Sequence, residues 1–189
     1  MFPGYPKQRD MWRKIQVVER VFTPAECAEI IAMFDETRAI KATIKETNSH
    51  DNLVRQSRVQ WIYYTPESEA LYKKLWDLTQ KVNEKIWQFQ LSGFYDALQL
   101  TEYQTGQFYT WHEDNMSPAH STRKLSLVVQ LTDPCQYSGG ELVVFPDEHA
   151  SRAIGSVTFF PSFLTHRVTH VSSGTRYSLV AWTTGEPFR

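Results

Sequence analysis

Residues 98–114 read LQLTEYQTGQFYTWHED, and they contain two β-prone runs on either side of a turn at Thr105-Gly106. Residues 98–103 and residues 108–111 each predict a short strand. Further β-prone runs occur downstream at 125–131, 141–145, 156–160, 166–171 and 176–182. Short strands at this spacing, separated by turn residues, are typical of a sandwich or barrel. We therefore expect a mostly β protein with a jelly-roll core.

The N-terminal half predicts helices that back this core. Thr23-Pro24-Ala25-Glu26 supplies an N-cap threonine, a proline in the first turn and a capping-box glutamate, and it follows a β-prone run at 15–22. We expect this helix to extend to about Glu36. After a predicted strand at 58–64, Thr65-Pro66-Glu67 opens a second helix with an apolar stripe on one face. The stripe consists of Leu71, Leu75, Leu78, Val82 and Ile86.

The composition is that of an ordinary globular protein. The 189 residues are 41% hydrophobic and 22% charged, enough for one domain with a real core and too few for two comfortable ones. We expect a single domain over residues 1–189, in which residues 98–189 form the core that carries the site. Residues 1–97 then provide helical support, and their polar stretch at 37–58 is a candidate lid. The net charge of −1 gives no overall field that would attract a polyanion.

Two features predict a cytoplasmic protein without a membrane anchor. Cys27 and Cys135 are far apart in the sequence and lack metal-like spacing, so we expect two free thiols in a reducing compartment. Residues 1–14 contain no apolar run long enough for a signal peptide, and no segment approaches the length that spans a bilayer.

The pair His112 and Asp114 is the first candidate for chemistry. Side chains two apart on a strand point to the same face, so these two can converge on one ion while Glu113 points away. A His-x-Asp triplet is common, however, and by itself it more often marks a solvated pair at the end of a surface strand. The pair alone therefore does not predict a metal site.

A third donor comes from the C-terminal part of the chain. Residues 159–168 read FFPSFLTHRV, and they place His166 at the start of an apolar strand after a proline turn. Two imidazoles and one carboxylate leave coordination positions open, which favours an iron(II) oxygenase over a closed structural zinc site. A zinc hydrolase with three protein ligands is the competing interpretation.

Arg176 begins the last predicted strand, where it shares one face with Ser178, Val180 and Trp182. An arginine on an inward face needs a partner, because an unpaired buried charge costs several kcal/mol. The partner is either one of the chain's own acids or the carboxylate of an acidic cosubstrate, which a guanidinium grips through two parallel hydrogen bonds.

The ordered set of these segments resembles the 2-oxoglutarate- and iron(II)-dependent oxygenases of the prolyl 4-hydroxylase-like group, the PKHD-type hydroxylases. The resemblance covers roughly the C-terminal half, through residues 98–103, 106–115, 138–142, 166–168 and 174–178. It implies a double-stranded β-helix in which His112, Asp114 and His166 bind Fe(II). It also implies that O2 and 2-oxoglutarate are cosubstrates and allows ascorbate as a further cofactor.

The resemblance assigns cosubstrate contacts as well. Arg176 would pair with the distal carboxylate of 2-oxoglutarate, and Tyr103 and Trp182 would contact the same molecule, although aromatic core filling explains these two rings equally well. His170 stands where many relatives have proline, and it has the same strand parity as His166. We prefer His166 as the ligand because of its spacing to Arg176.

The expected substrate is an amino-acid side chain of a protein or peptide, with proline as a candidate because the motifs resemble prolyl enzymes. A nucleic-acid oxygenase is disfavoured, since such relatives carry a second arginine six residues after the first, where this chain has Trp182. A small-molecule oxygenase and a non-catalytic cupin-like binding module remain alternatives, because one fold serves many functions. A degenerate module would usually lose a ligand or the arginine, and here all four residues are present.

Overall fold

The structure is a computed structural model that describes residues 14–42 and 54–187. Its helices are α1 (Pro24–Ala32) and α2 (Glu69–Lys85), and short 3-10 turns lie at Pro118–His120 and Pro134–Gln136. Its strands are β1 (Gln16–Val18), β2 (Ile40–Lys41), β3 (Arg55–Gln56), β4 (Arg58–Ile62), β5 (Gly93–Phe94), β6 (Leu98–Gln104), β7 (Phe108–His112), β8 (Arg123–Gln130), β9 (Tyr137–Gly139), β10 (Leu142–Val144), β11 (Glu148–His149), β12 (Val157–Pro161), β13 (His166–Val168) and β14 (Val171–Thr184).

The strands form two antiparallel sheets that face each other. The major sheet has the order β1-β12-β8-β14-β6-β4-β2, and β5 and β9 also pair with β14. The minor sheet has the order β11-β10-β13-β7-β3. Apolar side chains of both sheets meet between them, among them Tyr103 and Phe160 from the major sheet and Val144 and Val168 from the minor sheet. The predicted jelly-roll core backed by helices is confirmed.

The two helices pack on the outer face of the major sheet. Leu75 and Val82 of α2 are buried, and they join Leu127 and Leu179 of the sheet in one apolar cluster. The other three members of the predicted stripe, Leu71, Leu78 and Ile86, pack partly buried against the same cluster. None of the described helices is long and apolar enough to cross a membrane.

The helix boundaries differ from the predicted ones. The capping box of Thr23 and Glu26 forms as predicted, but α1 ends at Ala32, because the Asp35 carboxylate accepts hydrogen bonds from the backbone N–H and hydroxyl of Thr37, and this local turn competes with a helix. The second helix starts at Glu69, since the Ser68 hydroxyl donates to the Tyr63 carbonyl and holds the preceding residues in a turn. Both predictions were therefore wrong by a few residues.

The alternation along β14 directs its side chains to two environments. Leu179 and Ala181 face the helices, whereas Arg176, Ser178, Val180 and Trp182 line a cavity of about 850 Å³ between the sheets, as the alternation predicts. The candidate lid at 37–58 is described only at its two ends, which form β2, β3 and the start of β4, and residues 43–53 lie outside the described residues. Cys27 and Cys135 are free thiols, as predicted.

Candidate metal centre

The structure brings together the three predicted donors at one end of the minor sheet. His112 ends β7, and it lies directly opposite His166 of the neighbouring strand β13. Asp114 follows β7, where its backbone N–H donates to the Ser162 carbonyl at 2.9 Å. The Asp114 carboxylate lies between the two rings, with Oδ1 at 3.7 Å from His112 Nε2 and Oδ2 at 3.5 Å from His166 Nε2. One donor atom from each residue lies within 4.8 Å of the other two.

Backbone carbonyls fix the orientation of both imidazoles. His112 Nδ1 lies 2.8 Å from the Thr110 carbonyl oxygen, and His166 Nδ1 lies 2.8 Å from the Leu164 carbonyl oxygen. A carbonyl accepts and never donates, so Nδ1 carries the hydrogen in each ring and Nε2 keeps its lone pair. The lone pairs of both Nε2 atoms therefore face the Asp114 carboxylate. This tautomer of the imidazole ring is the one that a metal ligand requires.

The electrostatics of the cluster suit a divalent cation. Burial, followed by the neighbouring His166, lowers the pKa of His112 to about 3. Burial raises the pKa of Asp114, but the two histidines and the Ser126 hydroxyl outweigh it and lower that pKa to about 2. At neutral pH His112 is thus a neutral ring and Asp114 an anion, and neither has to lose a proton before a metal binds.

The lowered pKa of His112 predicts how the stability of the metal-free protein depends on pH. The unfolded chain protonates this histidine near its ordinary pKa of 6.5, whereas the folded chain does so only near 3. Because the unfolded state binds more protons in this window, stability is lost as the pH falls below 6.5, by up to about 2 kcal/mol at pH 5. Urea denaturation of the metal-free protein at pH 7.5 and pH 5 measures this loss, and His112→Gln should reduce it.

A serine pair holds the Asp114 carboxylate. The Ser126 hydroxyl donates to Asp114 Oδ2 at 2.6 Å, and Ser126 Oγ also lies 3.0 Å from Ser162 Oγ. Because the carboxylate can only accept, Ser126 donates to it and Ser162 donates to Ser126. These hydrogen bonds hold the carboxylate through Oδ2, which keeps a second lone pair.

Removal of the Ser126 hydroxyl is expected to weaken metal binding without abolishing it. Substitution of a hydrogen-bond partner of a metal ligand typically costs about 10- to 100-fold in metal affinity, so Ser126→Ala should bind Fe(II) more weakly by that factor. A competition titration against a chelator measures the affinity. Ser126→Thr keeps the hydroxyl and is the matched control, which should stay within about threefold of the unsubstituted protein.

Arg176 lies in the same cavity, on the major sheet. Its side chain is 3% exposed, and it donates from Nε to Gln130 Oε1 at 3.1 Å and from Nη1 to Ser178 Oγ at 3.4 Å. Within residues 14–42 and 54–187, no acidic side chain forms an ion pair with it. The alternative of an internal salt bridge therefore finds no support in this part of the chain.

The two aromatic residues assigned by resemblance also line the cavity. Tyr103 lies opposite Arg176 in the β6–β14 register, and its ring centroid is 5.8 Å from the guanidinium carbon. Trp182 lies at the other end, with the Arg123 guanidinium 4.1 Å from its ring centroid. Within the described residues, Trp182 Nε1 makes no hydrogen bond of standard geometry. Its N–H group still interacts with the Asp114 carboxylate and helps to lower the Asp114 pKa.

Several residues of the cavity were not singled out from the sequence or were assigned differently. Arg123 donates from Nη1 to the Asp114 carbonyl at 3.1 Å and from Nη2 to Asp96 at 2.8 Å, so it braces the loop that carries the aspartate. The signal in the sequence that could have identified Arg123 is a basic residue at the start of a buried strand. Arg55 lines the cavity, whereas Arg58 pairs with Glu102 at 2.6 Å and is not among the lining residues.

The other histidines that the structure describes, His120, His149 and His170, fall outside the cluster. His170 is exposed, and it stacks on Phe108 with ring centroids 4.1 Å apart, so it is not one of the clustered donors. His149 lies on the surface, whereas His120 is half-buried and lines the cavity wall. His50 lies outside the described residues. Glu113 points away from the donors and accepts a hydrogen bond from Thr165 Oγ1 at 2.9 Å.

The fold is shared with solved prolyl hydroxylases, although at 16% to 21% identity they show the fold alone. A prolyl hydroxylase from Trichoplax adhaerens, solved in complex with a hypoxia inducible factor peptide fragment, has a TM-score of 0.76 at 16% identity and covers 91% of this chain and 84% of its own. A Pseudomonas putida prolyl-4-hydroxylase has a TM-score of 0.70 at 21% identity, with coverage of 90% and 92%. The viral collagen prolyl hydroxylase of Paramecium Bursaria Chlorella virus-1, solved with 2OG, has a TM-score of 0.69 at 21% identity, with coverage of 92% and 97%. The core is a double-stranded β-helix, as predicted.

Sequence comparison finds relatives among the PKHD-type hydroxylases. A PKHD-type hydroxylase of Psychrobacter sp. (strain PRwf-1) is 40% identical over 93 residues, which are 44% of this chain and 36% of that protein. A PKHD-type hydroxylase of Synechococcus elongatus is 30% identical over 143 residues, which are 70% of this chain and 62% of that protein. The chain thus spans between about a third and three fifths of these relatives. The profile of the 2OG-Fe(II) oxygenase superfamily matches residues 98–184, the part of the chain that carries the three donors and Arg176.

Proposed function

We propose that the chain is a 2-oxoglutarate- and Fe(II)-dependent dioxygenase that hydroxylates an amino-acid side chain of a protein or peptide, with proline as the first candidate. We further propose that residues 1–189 act as a single domain. One observation carries the proposal: a three-donor cluster and a buried arginine without an acidic partner in the described chain share one cavity. A zinc hydrolase would need the cluster but has no use for the arginine.

The donor set fits iron(II). His112, Asp114 and His166 would hold the metal on one side and leave positions for two cosubstrates. When bound, iron(II), 2-oxoglutarate and O2 together supply the oxidation that inserts one oxygen atom into a C–H bond and releases succinate and CO2. The described residues contribute positioning: Ser126 and Arg123 hold the segment of Asp114, and the backbone carbonyls hold the two rings.

The arginine end of the cavity fits the far carboxylate of 2-oxoglutarate. Arg176 brings a positive charge, and within the described residues its Nη groups keep N–H donors beyond the one that contacts Ser178. Tyr103, beside it on β6, and Trp182, at the other end of the cavity, would also contact 2-oxoglutarate. Burial strengthens such charge-assisted hydrogen bonds and keeps competing water out.

The rest of the cavity favours a peptide side chain as the substrate. Its volume of about 850 Å³ lies within the usual range for sites that enclose a drug-sized ligand, ~300–1,000 Å³. Trp61 and Tyr95 line its wall, and Tyr63 and Met116 line its opening with 67% and 72% of their surfaces exposed. An apolar and aromatic opening suits a ring or aliphatic side chain held by its neighbours in a peptide.

Turnover assays test the proposal. The purified protein with Fe(II), 2-oxoglutarate and O2 should form succinate and consume oxygen, and a proline-containing peptide library should gain the mass of one oxygen atom. A comparison of host proteomes with the active protein and with the Asp114→Ala variant then identifies the substrate. Hydrolysis that depends on zinc, or oxidation of nucleic acid but not of peptides, would contradict the proposal.

A further inference from the structure

In the described part of the chain, the Arg176 guanidinium donates hydrogen bonds to two neutral acceptors. Its Nε–H donates to the side-chain amide oxygen of Gln130 at 3.1 Å, and Nη1 lies 3.4 Å from the Ser178 hydroxyl. Neither acceptor carries a charge, so the guanidinium remains a buried, uncompensated cation within the described part of the chain. A buried cation is costly without an anion, and this arrangement therefore calls for an anionic ligand.

Gln130 is itself fixed in place. Its side chain is 4% exposed, and its Nε2 donates to the Thr132 carbonyl at 2.8 Å. Because a carbonyl only accepts, this bond determines which end of the amide is the nitrogen and points Oε1 at the arginine. On the other side Gly140 confines the arginine stem, since a Cβ placed on this glycine would lie 3.1 Å from Arg176 Cδ.

The contact with Gln130 determines which edge of the guanidinium a ligand can use. Arginine binds a carboxylate through two parallel N–H groups, either Nε with one Nη or the two Nη groups together. Gln130 occupies Nε, so the first edge is blocked and the edge formed by the two Nη groups is left. Ser178 takes one of the four Nη hydrogens through a long contact.

We propose that Gln130 is a positioning residue for the cosubstrate, which it serves by holding Arg176 through a neutral amide. The inference rests on the proposed function, in which the anion is the far carboxylate of 2-oxoglutarate. The amide fixes the guanidinium without neutralising it and presents its outer edge to the ligand. An acid of the same size at position 130 would still accept from Arg176 Nε, although it could not donate to the Thr132 carbonyl, and it would neutralise the charge that the ligand needs.

Two substitutions separate positioning from packing. Gln130→Met keeps the volume but removes the acceptor, and it should weaken 2-oxoglutarate binding about fivefold to tenfold, as the loss of one hydrogen bond predicts. Gln130→Glu keeps the size and adds an anion, and it should weaken binding by about a hundredfold, because the new carboxylate competes for Arg176. If Gln130 merely filled space, Glu would be the milder change.

Calorimetric titration of 2-oxoglutarate into the anaerobic Fe(II)-loaded protein measures the dissociation constants, and thermal denaturation without 2-oxoglutarate measures the stability. Gln130→Glu gains an ion pair with Arg176 and loses the bond to the Thr132 carbonyl, so its Tm should stay close to that of the unsubstituted protein while it loses affinity, a split that a packing defect does not produce. The matched control is Gln60→Glu, the same chemical change on the outer side of β4. There the amide accepts a hydrogen bond from the Asp35 backbone N–H and donates one to the Met33 carbonyl. Its affinity for 2-oxoglutarate should not change.

The outcomes are distinguishable. If the unsubstituted protein binds 2-oxoglutarate and Gln130→Glu binds it as tightly, the positioning role is overturned and the proposed function stands. If the unsubstituted protein does not bind 2-oxoglutarate, the proposed function fails. Should Gln130→Met unfold, Gln130→Asn replaces it, since the shorter amide loses the reach to Arg176 and must weaken binding for the inference to hold.

Discussion

Asp114→Ala is expected to abolish stoichiometric Fe(II) binding, and His166→Ala is expected to do the same. Asp114 is the only anion among the three donors, and its two carboxylate oxygens face the two histidine rings. Loss of a ligand must exceed the ~10- to 100-fold cost of losing a ligand's hydrogen-bond partner, so affinity should fall by more than about 100-fold. Metal analysis after dialysis against Fe(II), or titration with Co(II), measures the loss.

Position 170 provides the control for this prediction. His170 is exposed and stacks on Phe108, so His170→Ala should retain full metal content. If His170→Ala loses the metal and His166→Ala keeps it, the ligand assignment is wrong. Asp114→Asn keeps the shape of the side chain without its charge, and it should lose most of the affinity while its folding, followed by circular dichroism, remains that of the unsubstituted protein.

The parts of the fold that the sequence predicted are those with a sustained period. Residues 176–182 alternate between the cavity and the helix side, and this alternation is visible in the sequence because the two environments differ in polarity. The stripe of α2 is visible for the same reason. Each pattern extends over enough residues to distinguish the period of a strand from the period of a helix.

The strands that were not predicted have two or three residues each. They are β2, β3, β5, β9 and β11, and so short a segment shows no period of its own. They exist because a neighbouring strand offers unpaired backbone groups: β5 and β9 both pair with β14, and β3 pairs with β7. Such pairing depends on contacts distant in sequence, which a local pattern does not contain.

The candidate site also has one part that a local sequence pattern predicts and another that depends on contacts distant in sequence. The spacing of His112 and Asp114 could be read from the sequence, but the state of Arg176 could not, because it depends on what the acids of the chain do elsewhere. Glu102 is occupied by Arg58 and by the Tyr177 hydroxyl, both at 2.6 Å. Only the folded arrangement shows that this nearby acid is already paired on the other side of the sheet.

Arg176→Ala is expected to weaken 2-oxoglutarate binding by about 100-fold or more and to leave Fe(II) affinity within about threefold of the unsubstituted protein. The first effect follows from the loss of charge-assisted hydrogen bonds, each worth about 1.5–3 kcal/mol. The second follows from location, since Arg176 contacts Gln130 and Ser178 and none of the three donors. Titrations of metal and of 2-oxoglutarate on the same preparation measure both affinities.

Arg176→Lys separates charge from geometry in this prediction. Lysine keeps the positive charge but cannot present two parallel N–H groups to a carboxylate, so its affinity for 2-oxoglutarate should lie between those of alanine and arginine. If lysine binds as weakly as alanine, the geometry of the guanidinium edge accounts for the whole effect. If Arg176→Ala instead loses the metal and keeps 2-oxoglutarate, the cosubstrate does not bind at this end of the cavity. A buried cation without an acidic partner in the described chain would then need another anion to explain it.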